Sequence, residues 1–109
     1  MKAVLVDDHE KWLVDALAAL GSPARFRILE ILAQQPQSIV AEIVSQLPLA
    51  QSTVSQHLKV LQQAGLIFDE QPGTGRCCSV NLEAVTRLAQ AMVTWTVRMA
   101  CSGRPCQED

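Results

Sequence analysis

The sequence has no long hydrophobic run and no large excess of charge of either sign. No apolar segment approaches the roughly 20 residues that a membrane-spanning helix needs, so we expect no membrane segment in this chain. The chain carries 9 basic and 11 acidic side chains. Bulk charge therefore gives no argument for nucleic-acid binding, which favours a strongly basic composition. The first residues turn acidic at Asp7 and Asp8 and form no signal-peptide core, so the expected location is cytoplasmic.

The sequence motifs of common enzyme classes are absent as well. There is no Ser/His/Asp constellation, no glycine-rich phosphate loop and no His-Glu-x-x-His metalloprotease motif. With 109 residues, 49% apolar and 18% charged, the composition is that of one globular domain with a modest core. We expect a non-enzymatic single domain, residues 1–109, that needs no cofactor for folding. A loose N-terminus (1–6) and a cysteine-containing tail (101–109) should flank it.

Periodic apolar residues and capping signals predict four helices in the first two-thirds of the chain. Ser22 followed by proline is typical of a helix start, and Gly65 is placed to end the fourth helix in the left-handed conformation. Ser38 is expected to cap the short third helix, whose inward residues should be Ile39, Ile43 and Leu47. The predicted helices span 8–20, 23 to about 34, 38 to about 47, and 51–64.

A dense turn at 71–75 separates two short strand-like segments, 66–68 and 77–80, and predicts a β-hairpin. Asn81 is a suitable N-cap for a last helix that reaches about Ala100. The sum is a mainly α protein with a β-hairpin wing: four helices, two strands and a fifth helix. Two short helices joined by a tight turn and followed by a hairpin form the order of a winged helix-turn-helix.

The predicted helix that begins at Gln51 has one polar face and one apolar face. Val54, Leu58 and Leu61 form its apolar stripe, and it carries no carboxylate before Ala64. Amides and hydroxyls suit base edges in the major groove, and a lysine suits phosphate. From spacing alone this face is either a DNA-binding surface or an ordinary solvated one. Its polar residues are Gln51, Ser52, Ser55, Gln56 and Lys59.

The last predicted helix carries apolar residues at steps of three and four, which is the pattern of a helix that pairs with another. Ordinary core packing is the alternative explanation. The first helix is also apolar along one side, so a dimer layer made by these two helices is a reasonable hypothesis. Its candidate residues are Trp12, Leu13 and Leu17 on the first helix and Val85, Leu88, Met92, Trp95 and Met99 on the last.

Three stretches of the chain, 19–29, 51–61 and 64–67, closely resemble the ArsR/SmtB family of bacterial repressors. The resemblance covers about residues 10–100 and implies a homodimeric winged-helix repressor that leaves its palindromic operator DNA when an inducer binds. Ala50 departs from the family, which often has a capping Ser or Asp at this position. The absence of that capping side chain should cost about 1 kcal/mol of helix stability. Arg76, in the wing, would reach the adjacent minor groove or the DNA backbone. The base and phosphate contacts that the resemblance implies are Gln51, Ser52, Thr53, Ser55, Gln56, His57 and Lys59.

The inducer is suggested by the tail, Cys101-Ser102-Gly103-Arg104-Pro105-Cys106. This tail resembles that of an arsenite-responsive subgroup, Cys-Cys-Gly-x-x-Pro-Cys, with Ala100 in place of the first cysteine. The resemblance implies trivalent arsenic or antimony as inducer, because both are thiophilic and take three thiolates. The family's other metal sites lack their ligands, since there is no cysteine at 40–44 and no histidine on the last helix. This argues against zinc, nickel or cobalt.

Cys77 or Cys78 could supply the third thiolate. Adjacent strand residues point to opposite faces, so at most one of them should face the tail. Plain packing in the strand is the alternative for this pair, since cysteine behaves as a small buried hydrophobe. For Cys101 and Cys106 the alternative is a disulfide that acts as a redox or persulfide switch.

Overall fold

The structure is a computed structural model that describes residues 5–35, 38–70 and 77–103. Its order confirms the predicted succession of four helices, a hairpin and a last helix, with one additional short strand before the third helix. Within the described residues, no helix combines the length and the apolar character needed to cross a bilayer. The elements are α1 (Asp8–Leu20), α2 (Pro23–Gln34), β1 (Ser38–Ile39), α3 (Val40–Ser45), α4 (Gln51–Gln63), β2 (Ile67–Glu70), β3 (Cys77–Val80) and α5 (Leu82–Ser102).

The first two helices begin at side-chain caps. Asp7 and Glu10 form a reciprocal capping box at α1, in which each carboxylate accepts the other residue's backbone N–H, at 2.8 and 3.1 Å. At α2, the Ser22 hydroxyl accepts the backbone N–H of Arg25 at 3.4 Å, and Pro23 occupies the first helical turn. The predicted start of the second helix is confirmed.

The sheet has three strands in the order β1-β3-β2, all antiparallel. Ser38 pairs with Cys78 and Ile39 pairs with Cys77. The prediction that Ser38 caps a helix and that Ile39 lies within it is therefore wrong, and α3 is correspondingly short. Pairing with a strand some 40 residues further along the chain is a non-local interaction, which local periodicity does not reveal.

The turn after α4 is a Schellman motif. Gly65 has φ +80°, as the sequence predicts, and its backbone N–H donates to the Gln62 carbonyl at 2.9 Å. The Leu66 N–H reaches the Leu61 carbonyl at 3.0 Å. This compact ending directs the chain from α4 straight into the wing.

One apolar core joins the helices to the sheet. The α4 stripe of Val54, Leu58 and Leu61 is completely buried, as predicted. Burial of each such side chain contributes about 1.5–3 kcal/mol to the stability of the fold. This stripe therefore holds α4 against the rest of the domain. The other fully or almost fully buried large side chains are Ile28, Leu32, Ile43, Leu66 and Cys78.

The last helix is longer than the sequence predicts. Asn81 caps it, as expected, by accepting the Ala84 N–H at 3.2 Å. Its final turn includes Cys101 and Ser102, so Cys101 lies on the helix and not in a tail. Every residue from Val93 to Gly103 is exposed, so the second half of α5 extends past the core of its own chain. The Cα radius of gyration, 17.5 Å, exceeds the roughly 13 Å of a compact domain of this size.

Candidate nucleic-acid interface

The outer face of α4 is a row of polar side chains opposite its buried stripe. Ser52, Gln56 and Lys59 are exposed, as is Gln63, and the four follow one another at steps of four, three and four residues. Residues at such steps share one face of a helix. Gln63 is not among the predicted contact residues, although this same spacing identifies it.

The remaining predicted contacts lie at the edges of this face. Gln51 is exposed at the start of the helix, whereas Ser55 is half-buried. Thr53 and His57 are half-buried on the flank of α4 nearer to the core. The structure therefore places four of the predicted contact residues in full view of solvent and turns three partly inward.

The half-buried position of His57 is explained by an arginine that is not among the predicted site residues. The Nη1 atom of Arg25, on α2, lies 3.2 Å from Nδ1 of His57. A guanidinium can only donate, so Nδ1 is the acceptor and the remaining imidazole proton is on Nε2. The Nε atom of Arg25 also donates to the Ala19 carbonyl at 2.6 Å.

The N-terminus of α4 has no side-chain cap. Ala50 occupies the N-cap position in an extended conformation and its side chain supplies no acceptor for the first backbone N–H groups. Helix α4 also carries no acidic residue, and Lys59 is exposed on its outer face. Open N–H groups at a helix start together with a cation favour an anionic partner such as a phosphate.

The wing is described up to Glu70 and again from Cys77. Phe68, on β2, is 50% exposed. The predicted wing contact Arg76 lies outside the described residues, as does Cys106. Their predicted roles stay predictions.

The described cysteines lie at two separate places. Cys78 is buried (1% exposed) and Cys77 is half-buried, as expected of strand neighbours that point to opposite faces. Cys101 is exposed on α5. Among residues 5–35, 38–70 and 77–103, no three His, Cys, Asp or Glu side chains are close enough together to hold a metal ion.

Helix length keeps Cys101 away from the two strand cysteines of its own chain. Along α5, Cys101 is about 28 Å beyond Leu82, at 1.5 Å per residue. Cys77 precedes Leu82 by five residues, which reach at most about 17 Å. The Cα atoms of Cys77 and Cys101 are thus at least about 11 Å apart, and the minimum separation of Cys78 from Cys101 is larger because Cys78 is one residue nearer to Leu82. Two sulfurs on one ion lie within about 5 Å, so neither strand cysteine can join Cys101 of the same protomer.

The predicted dimer residues divide between core and surface. Leu13 and Leu88 are buried in the core of their own chain, and Met92 is half-buried. Trp12 is half-buried beneath the guanidinium of Arg87, 4.0 Å from its ring centroid, which is a cation–π contact between α1 and α5. The predicted residues that remain exposed are Leu17 (39%), Val85 (37%), Trp95 (44%) and Met99 (40%).

Two further apolar residues in the second half of α5 are more exposed than any residue of the predicted seam. Val93 is 61% exposed and Val97 is 55% exposed. They lie on the side of α5 opposite Leu88, so the steps of three and four that define the seam pass over them. The second half of α5 is therefore apolar on two sides and exposed throughout. The start of α1 lies beside it, where Thr94, Trp95 and Arg98 line a cavity together with Asp7 and Glu10.

The helix pair α3 and α4, in which α4 has a buried apolar stripe, is followed by an antiparallel hairpin within a three-stranded sheet. This arrangement defines the chain as a winged helix-turn-helix domain. Residues 22–68 match the family model described as "Bacterial regulatory protein, arsR family". The chain is 33% identical over 69 residues to the uncharacterized HTH-type transcriptional regulator MJ1325 of Methanocaldococcus jannaschii, covering 63% of this chain and 76% of that protein. The protein belongs to the ArsR family of DNA-binding transcriptional regulators.

Two further comparisons extend the likeness. The HTH-type transcriptional regulator Rv2034 of Mycobacterium tuberculosis is 44% identical over 61 residues, and the match spans 56% of each chain. The solved homodimeric winged helix-turn-helix DNA-binding domain Mb0332 of Mycobacterium bovis has a TM-score of 0.66 at 24% identity. That comparison covers 98% of this chain and all of the bovis fragment, and it confirms the fold.

Proposed function

We propose that this protein is a homodimeric repressor that binds operator DNA through α4 and leaves it when trivalent arsenic or antimony binds cysteine thiolates. The observation that carries the DNA-binding part is the outer face of α4. It presents the polar side chains of Ser52, Gln56 and Lys59 to solvent, with no carboxylate anywhere on the helix. Such a surface has donors and acceptors for base edges and a cation for phosphate.

The exposed second half of α5 supports a homodimer. An isolated helical segment of about ten residues is marginal in water, and this one exposes Val93, Trp95, Val97 and Met99. Burial of this apolar surface against a second copy would stabilise it. A two-fold dimer also provides two α4 helices for two half-sites about one DNA turn apart.

The cysteines support a thiophilic inducer. Cys101 is exposed on the last turn of α5, and Cys106 follows five residues later, with Gly103 and Pro105 between them. Because the strand cysteines of the same protomer are too far from Cys101, we place the third thiolate on the partner subunit. A metalloid held between the two subunits would then change how they pack, and with it the spacing of the two α4 helices.

The alternative function is a repressor that senses oxidants or persulfides through a Cys101–Cys106 disulfide. The exposure of Cys101 favours this chemistry as much as it favours metalloid binding, since both need an accessible thiol. The two functions differ in their inducer and not in their DNA-binding surface.

The DNA-binding part is tested by a gel shift with the promoter upstream of the protein's own gene. We expect the wild type to shift this duplex in preference to a scrambled one, and the double variant Ser52→Ala/Gln56→Ala to lose the preference. Gln34→Ala, which removes an exposed amide from α2, is the matched control and should bind as the wild type does. A wild type that shifts no duplex at low salt would contradict the proposal.

The inducer is tested by titrating the same complex with arsenite, antimonite, zinc and polysulfide. Release by arsenite or antimonite under reducing conditions supports the metalloid function. Release by polysulfide alone supports the redox alternative.

A further inference from the structure

We infer that Arg25 is a positioning residue for the DNA-binding helix, acting through His57 without touching DNA itself. Arg25 lies in the first turn of α2, yet its side chain contacts residues of two other helices, Ala19 on α1 and His57 on α4. The inference rests on the proposed DNA-binding role of α4, and it gives His57 a role other than the direct contact that family resemblance implies.

Arg25 is held at both ends. Its backbone N–H donates to the hydroxyl of Ser22, the N-cap of α2. Its Nε donates to the Ala19 carbonyl at 2.6 Å. That carbonyl is among the last of α1, which lack helical partners of their own, and α1 has no basic residue in its last turn. The guanidinium therefore satisfies a carbonyl and supplies a cation at the negative end of the α1 dipole.

The third contact reaches α4. With Nε engaged by Ala19, the rigid guanidinium plane directs Nη1 toward Nδ1 of His57 at 3.2 Å. Both side chains are half-buried, so the contact is less screened by water than a surface pair would be. It joins residues 32 positions apart in the chain.

The contact between Arg25 and His57 constrains the rotation of α4 about its own axis more tightly than apolar packing does. The stripe of Val54, Leu58 and Leu61 holds α4 by hydrophobic burial, which is non-directional and constrains small rotations about the helix axis less tightly than a hydrogen bond does. A hydrogen bond on the flank of the helix is directional. It sets the rotation of α4 and thereby the direction in which Ser52 and Gln56 point. Specific DNA binding depends on that direction, whereas attraction to phosphates in general does not.

The two possible roles of His57 use different ring nitrogens: Nδ1 accepts from Arg25, whereas a DNA contact would use Nε2. Asparagine places its side-chain oxygen near the position of Nδ1, and glutamine places its amide near the position of Nε2. If His57 acts by accepting from Arg25, His57→Asn should keep operator affinity within about threefold of the wild type, and His57→Gln should lose about tenfold or more. If His57 contacts DNA through Nε2, the order of the two variants reverses.

The test of Arg25 measures affinity for operator and scrambled duplexes over a range of salt. We expect Arg25→Met to bind the operator at least tenfold more weakly, with an unchanged affinity for the scrambled duplex and an unchanged slope of log K against log salt. Lys59→Gln is the comparison variant, and its slope should fall by about one because a phosphate contact is lost. Arg25→Lys should show an intermediate loss, since an ammonium cannot reproduce the fork that reaches both partners.

Coupling between the two residues completes the test. Arg25→Met/His57→Gln should bind no more than twofold more weakly than Arg25→Met alone, because both changes break one contact. Circular dichroism and thermal unfolding show whether each variant is folded, and the two His57 variants keep the test decisive should Arg25→Met unfold. Wild-type operator affinity in Arg25→Met, or a slope reduced by one, would overturn the inference. A wild type that binds no duplex would instead overturn the proposed function.

Discussion

Asn81 donates from its side-chain amide to the carbonyl oxygen of Gly65, at 2.9 Å. The same side chain accepts the Ala84 N–H at 3.2 Å and so caps α5, while the Asn81 backbone N–H donates to the Leu66 carbonyl at 2.9 Å. One residue thus connects the end of the proposed DNA-binding helix to the start of the proposed dimerisation helix. The position of α4 relative to α5 depends on this contact.

We expect Asn81→Ala to lower the free energy of unfolding by about 1–2 kcal/mol, because it removes a helix cap and a half-buried hydrogen bond together. Asn81→Asp is the matched variant. It keeps an acceptor for Ala84 but cannot donate to Gly65, and its loss should be smaller. Urea denaturation at one fixed protein concentration measures both, and equal stability of Asn81→Ala and the wild type would contradict the role given to this residue.

The features that sequence alone predicts here are those encoded within a few residues. The Asn81 cap, the left-handed Gly65 and the Ser22-Pro23 helix start are local chemistry, and each appears where expected. The outer face of α4 is local as well, because helical spacing alone brings Ser52 and Lys59 to one side.

The features that sequence alone misses depend on partners far along the chain. Ile39 forms a strand because β3 is there to pair with it. His57 turns partly inward because Arg25, 32 residues earlier, donates to it. The exposed Val93 has a different cause, since the core ends before the second half of α5. The spacing of apolar residues along α5 does not indicate where the elements packed against this helix end.

Lys59 should contribute to DNA binding through phosphate charge. We expect Lys59→Gln to weaken binding to operator and scrambled duplexes alike and to reduce the salt slope by about one, since one fewer counterion is released. Lys11→Gln is the control, because Lys11 is an exposed lysine of α1 whose ammonium hydrogen-bonds to Asp15 at 2.8 Å. Fluorescence anisotropy at several salt concentrations measures the slopes. A Lys59 variant with the wild-type slope would show that the outer face of α4 is not against the DNA backbone.

The second half of α5 should be covered by a second copy of the chain. We expect Val93→Glu to convert a dimer into a monomer at micromolar concentration, because burial of an unpaired carboxylate in an apolar interface is costly. Phe68→Glu changes an apolar side chain of comparable exposure on the wing and should leave the dimer intact. Sedimentation velocity distinguishes the states. A wild type that is monomeric, or a dimeric Val93→Glu variant, would contradict this arrangement.

Release by metalloids should depend on the thiols at the end of α5. We expect Cys101→Ser and Cys106→Ser to bind operator as the wild type does and to stay bound when arsenite is added, whereas arsenite should lower wild-type affinity about tenfold or more. Ser102→Ala, a change in the same helical turn that removes no thiol, is the control.

Cys77→Ser reports on the third ligand, since it abolishes release only if the partner subunit supplies that thiolate from β3. Gel shifts with and without a thiol-free reductant distinguish metalloid binding by thiolates from formation of a disulfide. Arsenite release that persists in both tail variants would exclude a metalloid site on α5, and release of the wild type by polysulfide alone, reversed by the reductant, would favour a disulfide switch.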